Sequence, residues 1–318
     1  MRAMRNISRR DFLGTVATAA AIPSFLRQGT AAGEWGSPVF DLHHHMRPVP
    51  ANNLAHVDGA GISKANLLTR GAVKDQVKAL DAVAPGRFTW FASADITKPE
   101  AEAQLTQAIK DGAQGFGELK FHVAADGPEL RRMYALAAEL QVPLLVHFQE
   151  VDHFEGEGAW STGYAKTIES LLKTYPKTRF VGHADAFWAN VSADYHNEAA
   201  YPSGPIARGG VTDKLLSDYP NLFGDCSANS GNNALSRDPS FTGDFLTRHQ
   251  DKLLFGSDCS CADGHGGGVS QANNPAAARL GGKCVARETL SVLKKSASVD
   301  VFRKIVWGNA HRLLKIPA

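Results

Sequence analysis

Residues 39–45 read Val39-Phe40-Asp41-Leu42-His43-His44-His45. A short apolar run of strand character passes directly into three histidines. A doubly wound nucleotide-binding fold would place a glycine-rich phosphate turn behind its first strand, and none stands here. The Gly264-His265-Gly266-Gly267-Gly268 run has no helical pattern directly behind it and reads as a loop. Outward from Phe40, β-branched or aromatic apolar runs recur at 39–43, 62–69, 88–94, 115–121, 143–148, 178–183, 221–226 and 252–257. Helical periodicity fills the intervals, as in Leu130, Met133, Ala137, Leu140 and again in Ile168, Leu171, Leu172, Tyr175. Eight strand–helix repeats predict a single α/β domain, a (β/α)8 TIM barrel.

The 318-residue chain is long enough for such a barrel, which typically takes about 250 residues. Hydrophobic residues at 43% and charged residues at 21% exclude a disordered or fibrous chain. A net charge of +2 gives no electrostatic footprint for nucleic acid, so the expected partner is a small molecule. Ser8-Arg9-Arg10-Asp11-Phe12-Leu13, an uncharged stretch to Leu26 and then Thr30-Ala31-Ala32 have the layout of a secretory signal. Its apolar run is too short for a bilayer span, and the paired arginines resemble a twin-arginine export address. Residues 1–32 are therefore expected to be a signal read by the twin-arginine export machinery. The mature barrel, 33–318, is then expected to be periplasmic, in a bacterium, with no membrane span. That compartment permits a disulfide. Cys226, Cys259, Cys261 and Cys284 could form a bridge, supply soft metal ligands, or remain buried thiols.

Barrel enzymes carry their chemistry at the C-terminal strand ends. Here those ends hold His43-His44-His45, Glu118-Leu119-Lys120 with His122, His147, His183, Asp225 and Ser257-Asp258. Strand alternation puts His43 and His45 on one side and His44 on the other. Imidazoles converging with a carboxylate suit a divalent transition metal with an open position for water.

H-x-H after the first strand, histidines ending the fifth and sixth, and an aspartate ending the eighth resemble the amidohydrolase superfamily. Phe255-Gly256-Ser257-Asp258 and the tail Gly308-Asn309-Ala310-His311-Arg312-Leu313-Leu314 resemble its amidohydrolase-related branch, which includes non-oxidative decarboxylases such as aminocarboxymuconate-semialdehyde decarboxylase. The resemblance covers about residues 38–316 and implies a metallo-dependent hydrolase type of barrel. It implies that His43, His45, His147 and Asp258 are metal ligands, that His183 is catalytic, and that Asp258 also takes the proton of a metal-activated water. One divalent ion is expected, zinc first and manganese second. A bound divalent ion lowers the pKa of water from 15.7 to about 7.

Glu118 and Lys120, two apart on the fourth strand, have two readings. They either bridge to a second metal, as in binuclear members of the superfamily, or serve as a cation for a substrate carboxylate with its acidic partner. The second is preferred, with a buried structural pair as the bland alternative. Ala184 to Arg208 is a long insertion carrying Phe187, Trp188, Tyr195, His196 and Tyr201. With Phe148, His153, Phe154 and Trp160 it is expected to form an aromatic wall beside the metal, or a homodimer contact. Arg47 and Arg208 are candidates to bind an anionic group. The leading function is hydrolysis of an amide, lactone or ester carbonyl of a small aromatic or anionic substrate. The alternatives are decarboxylation of a hydroxylated aromatic or enol-type acid, and a metal-free lactonase or non-catalytic binding barrel.

Overall fold

The computed structural model describes residues 33–71, 73–151, 160–268 and 279–317. The expected signal segment, His153 and Phe154 lie outside them. Eight strands follow the expected positions: β1 Phe40–His45, β2 Lys64–Arg70, β3 Phe88–Ser93, β4 Gly115–Leu119, β5 Pro143–His147, β6 Arg179–His183, β7 Leu222–Asp225 and β8 Leu253–Leu254. They form one parallel sheet in sequence order. The intervening helices are α1 Pro50–Gly59, α2 Lys74–Val83, α3 Ala101–Lys110, α4 Pro128–Leu140, α5 Tyr164–Thr174, α6 Ala184–Ala189, α7 Val211–Asp218, α8 Ala228–Ser236 and α9 Pro239–Arg248. After β8 come α10 Val285–Ser296, α11 Val299–Arg303, a π-helical turn over Lys304–Gly308 and α12 Asn309–Leu314.

The last predicted strand, 252–257, shortens to two residues. The chain beyond it still closes the barrel onto β1, because Leu42 N–H donates to the Phe255 carbonyl at 2.9 Å and Asp258 N–H to the His43 carbonyl at 2.8 Å. Asp41 Oδ1 accepts from Ser257 N–H at 2.8 Å and reinforces the seam. The eight-stranded barrel read from the sequence is the fold.

Period-two burial sorts the strand residues into two cores. Leu67, Trp90, Leu144, Val146 and Phe180 face the helices. Their neighbours Leu68, Phe91, Leu145 and Val181 join Phe40, Leu42 and Leu254 inside the barrel, where α12 packs Ala310, Leu313 and Leu314 against them. Because Phe40 begins the strand that His45 ends, α12 plugs the end opposite the histidines. Helix starts follow local chemistry: Pro128 and Pro239 sit at first-turn positions, and Asp238 accepts from the Ser240 and Phe241 amides to cap α9.

Candidate metal centre

A register shift between Asp41 and His44 breaks the alternation of β1. Asp41 and His44 both keep the outer side, where His44 Nε2 donates to Asn53 Oδ1 of α1 at 3.1 Å and its ring lies 5.3 Å from that of His56. His43 thereby turns inward with His45, as expected. Their rings stand 5.1 Å apart, with the two Nε2 atoms separated by 3.3 Å. Asp258 Oδ1 lies 3.3 Å from His45 Nε2 and 3.8 Å from His43 Nε2.

From β4, Glu118 reaches across the same space. Its Oε2 is 3.5 Å from His45 Nε2, while Oε1 is 2.6 Å from His147 Nδ1 and 3.6 Å from His183 Nε2. Ligand-capable atoms within 4.8 Å of one another form two overlapping sets, His43–His45–Asp258 and His43–Glu118–His183. Their shared residue is His43, and the third ring brought beside it is His183, whereas the resemblance implies His147 as the ligand. His147 engages the site through Glu118 because its Nδ1 turns to that carboxylate and its Nε2 meets Gln149 Oε1 at 3.0 Å.

Asp225, which ends β7, was not expected to act. It is fully buried, and its Oδ2 accepts from His43 Nδ1 at 2.6 Å and from Ser227 Oγ at 2.8 Å. Ser227 Oγ in turn lies 2.9 Å from His183 Nδ1. With the serine proton directed at Asp225, His183 Nδ1–H donates to the serine oxygen. In the neutral rings one carboxylate therefore places both protons on Nδ1 and turns both Nε2 atoms toward the centre. Asp225 and Ser227 are strand-end polar residues, so a signal existed, but only the fold brings them under His43 and His183.

The donor set fits a cation. Three Nε2 atoms and two carboxylates converge, with described separations of 3.3–3.8 Å. The electrostatics agree. Burial opposes charge on His43, yet Asp258 and Asp225 push its imidazole up to about 10. Burial also opposes the charge of Asp225, but His43 and His183 hold its carboxyl down at about 2. Asp258 and Glu118 are likewise held below the ordinary carboxylate range against burial, mainly by His43 and by His147 respectively. The buried carboxylates around His43 are those whose negative charge a bound cation would offset. The approach is from the His45 and Asp258 side, whose side chains are 45% and 28% exposed while His43 is 0% exposed.

The expected substrate contacts are mostly not brought here. Arg47 donates to the carbonyls of Asn52, Cys259 and Ala262, so it fastens loops instead of meeting an anion. Arg208 is a surface residue paired with Asp244 at 2.8 Å. Phe148 is fully buried against Tyr164, on the helix side of the strands. Trp188 and Phe187 are buried in that same outer core, where Trp188 Nε1 donates to the Asp225 carbonyl at 2.8 Å. Tyr195 is buried as well, and its hydroxyl donates to the Ala199 carbonyl. Among the described residues, Trp160 is the expected aromatic side chain that does lie beside the site, stacked on His122 at 4.8 Å and facing His147 at 6.1 Å. Lys120 sits beside His147, whose charge it opposes.

The family model described as Amidohydrolase matches residues 42–316. A search of curated proteins gives no match. Among solved structures, a probable 2-pyrone-4,6-dicarboxylic acid hydrolase from Acinetobacter baumannii superposes with a TM-score of 0.55 at 11% identity, covering 88% of this chain and 100% of that one. A 2,6-dihydroxybenzoate decarboxylase from Rhizobium gives 0.51 at 14%, covering 87% and 98%. A TatD homologue from Escherichia coli gives 0.52 at 16%, covering 88% and 98%. At these identities the likeness shows the shared barrel and leaves the chemistry to the site.

Proposed function

The chain belongs to the amidohydrolase family, and on that premise we propose that it is a divalent-metal-dependent hydrolase acting on the carbonyl of a small amide, lactone or ester. The observation that carries this reading is the convergence of the His43, His45 and His183 Nε2 atoms with Asp258 and Glu118, held by Asp225. His43, His45 and Asp258 would hold the ion, zinc or alternatively manganese by the nitrogen and oxygen donors. When bound, such an ion polarises a carbonyl and acidifies water. Asp258, the more exposed carboxylate, would take the proton of the attacking water. His183 Nε2, 3.8 Å from Asp258 Oδ2, would pass it to the leaving group. Trp160 and His122 offer a flat aromatic face to the substrate.

Arg47 and Arg208, the expected anion-binding residues, are engaged elsewhere, so the preference for hydrolysis over decarboxylation rests on the proposed export, which suits scavenging of external compounds. The placement of Glu118, with Oε2 toward His45 and Oε1 toward His147 and His183, supports a carboxylate shared between two ions. That reverses the preference drawn from the sequence. We also propose that residues 1–32 direct export to the periplasm, where the enzyme would meet external small molecules.

The test is turnover of the purified chain on amides, lactones, esters and hydroxylated aromatic acids, following acid release and carbon dioxide separately. Acid release lowered about 10²–10⁴-fold in Asp258→Ala supports the assignment. Carbon dioxide without hydrolysis transfers the site to the lyase reading, and unchanged turnover in Asp258→Ala removes the role given to Asp258. The metal lost in His43→Ala relative to wild type counts the ions at this centre: one, or two where Glu118 bridges.

A further inference from the structure

Behind the barrel mouth, three thiols and an imidazole converge from separate parts of the chain. Cys259 and Cys261 follow Asp258, Cys284 is the N-cap residue of α10, and His56 lies on α1. Cys259 Sγ is 3.3 Å from Cys261 Sγ and 3.8 Å from Cys284 Sγ, and Cys261 Sγ is 3.5 Å from His56 Nδ1. All four ligand atoms lie within 4.8 Å of one another. His56, Cys261 and Cys284 are buried and Cys259 partly so.

We propose that His56, Cys259, Cys261 and Cys284 bind a structural zinc ion in a closed Cys3His site, distinct from the centre at the barrel mouth. Metal–sulfur bonds of about 2.3 Å in a tetrahedron require sulfur–sulfur edges of about 3.8 Å, with sulfur–nitrogen edges slightly shorter. The observed separations of 3.3, 3.8 and 3.5 Å are close to those edges. A disulfide would need about 2.05 Å.

Two further observations are compatible with such a site. Three thiolates around a divalent ion leave one excess negative charge, and the Arg47 guanidinium sits beside it, donating to the Cys259 carbonyl at 3.0 Å and the Ala262 carbonyl at 3.2 Å. His56 Nε2 and Asp41 Oδ2 are both buried without a partner among the described residues, although Asp41, His44 and His56 adjoin one another within 4.8 Å. Without an ion, His56 Nδ1–H donates to the Cys261 carbonyl at 3.1 Å. Moving that proton to Nε2 frees the Nδ1 lone pair for the metal and gives Asp41 a donor, the carboxylate–histidine–metal pattern of many zinc sites. The ion would join α1, α10 and the segment after β8, and so anchor the chain directly behind Asp258.

The probe is cobalt(II) added to the full chain, purified without a histidine tag and stripped of metal. A thiolate-to-cobalt charge-transfer band is expected, saturating at one equivalent. It should persist in His43→Ala, which lacks only the nitrogen–oxygen centre, and disappear in Cys259→Ser/Cys284→Ser. Absence of the band in wild type would overturn the proposal, as would an intact mass two hydrogens short, which reports a disulfide. If the double variant does not fold, the wild-type and His43→Ala spectra decide the question without it.

Discussion

His43 Nδ1 meets Asp225 directly and His183 Nδ1 meets it through Ser227, so one buried carboxylate fixes the tautomer of two rings. Replacing Asp225 with Asn keeps the shape but removes the charge and half of the accepting capacity. The variant should bind the barrel-mouth metal about 10–100-fold more weakly, measured by competition with a chelator. His43, His45, His183 and Asp258 were legible because a polar residue at a strand end has no place in an apolar core. Phe148 and Trp188 misled for a related reason. An aromatic residue just past a strand end faces either the mouth or the helices, and only the turn geometry chooses. Arg47 has the right charge beside His45, yet the carbonyls of the loop after β8 capture its guanidinium.

Among the elements, the segment from Phe255 to Asp258 does the most to position the site. A Cβ at Gly256 would fall 2.2 Å from Asp225 Oδ1 and 2.8 Å from His43 Cβ. Gly256→Ala should therefore destabilise the fold by about 1–3 kcal/mol and weaken metal binding without altering a ligand, checked by denaturant unfolding and chelator competition. Asp258 itself holds a left-handed conformation with φ 44°, as does Ala184 beside His183 with φ 77°. Such backbone strain in residues other than glycine gathers at functional sites. Helices α7 and α9 are clasped by Asp213, which accepts from Arg248 and from His249 Nε2. Burial raises the Asp213 pKa, but those two partners outweigh it and the net shift is downward. A depressed carboxylate stabilises fully above its unfolded pKa of about 3.9 and loses that contribution as pH falls through its folded value. The stability gap between wild type and Asp213→Asn should thus be constant at neutral pH and close below about pH 3.9, as measured by urea midpoints across pH. The strands and their order were readable from apolar spacing. The bulge in β1 was not, since nothing in Asp41-Leu42-His43 announces a register shift.

Over the whole molecule, the two ends of the barrel divide the work. The mouth carries the polar centre, and the opposite end is filled by the last helix, whose Leu313 is 3% exposed among residues of six strands. Leu313→Ala should cost about 2–5 kcal/mol and lower the thermal midpoint while leaving the metal ligands in place, seen by calorimetry with metal analysis of the same sample. The sequence by itself determined the class of fold, the order of the strands and most of the residues at the mouth. Hydrophobic period and strand-end polarity are local properties, written along the chain and fixed by backbone geometry. Tertiary structure alone decided that Asp225 orders two histidines, that Glu118 stands between His45 and His147, and that His56 meets three cysteines. Each of those relations joins residues on different elements, and the closure of the barrel, not the spacing along the chain, sets their distance.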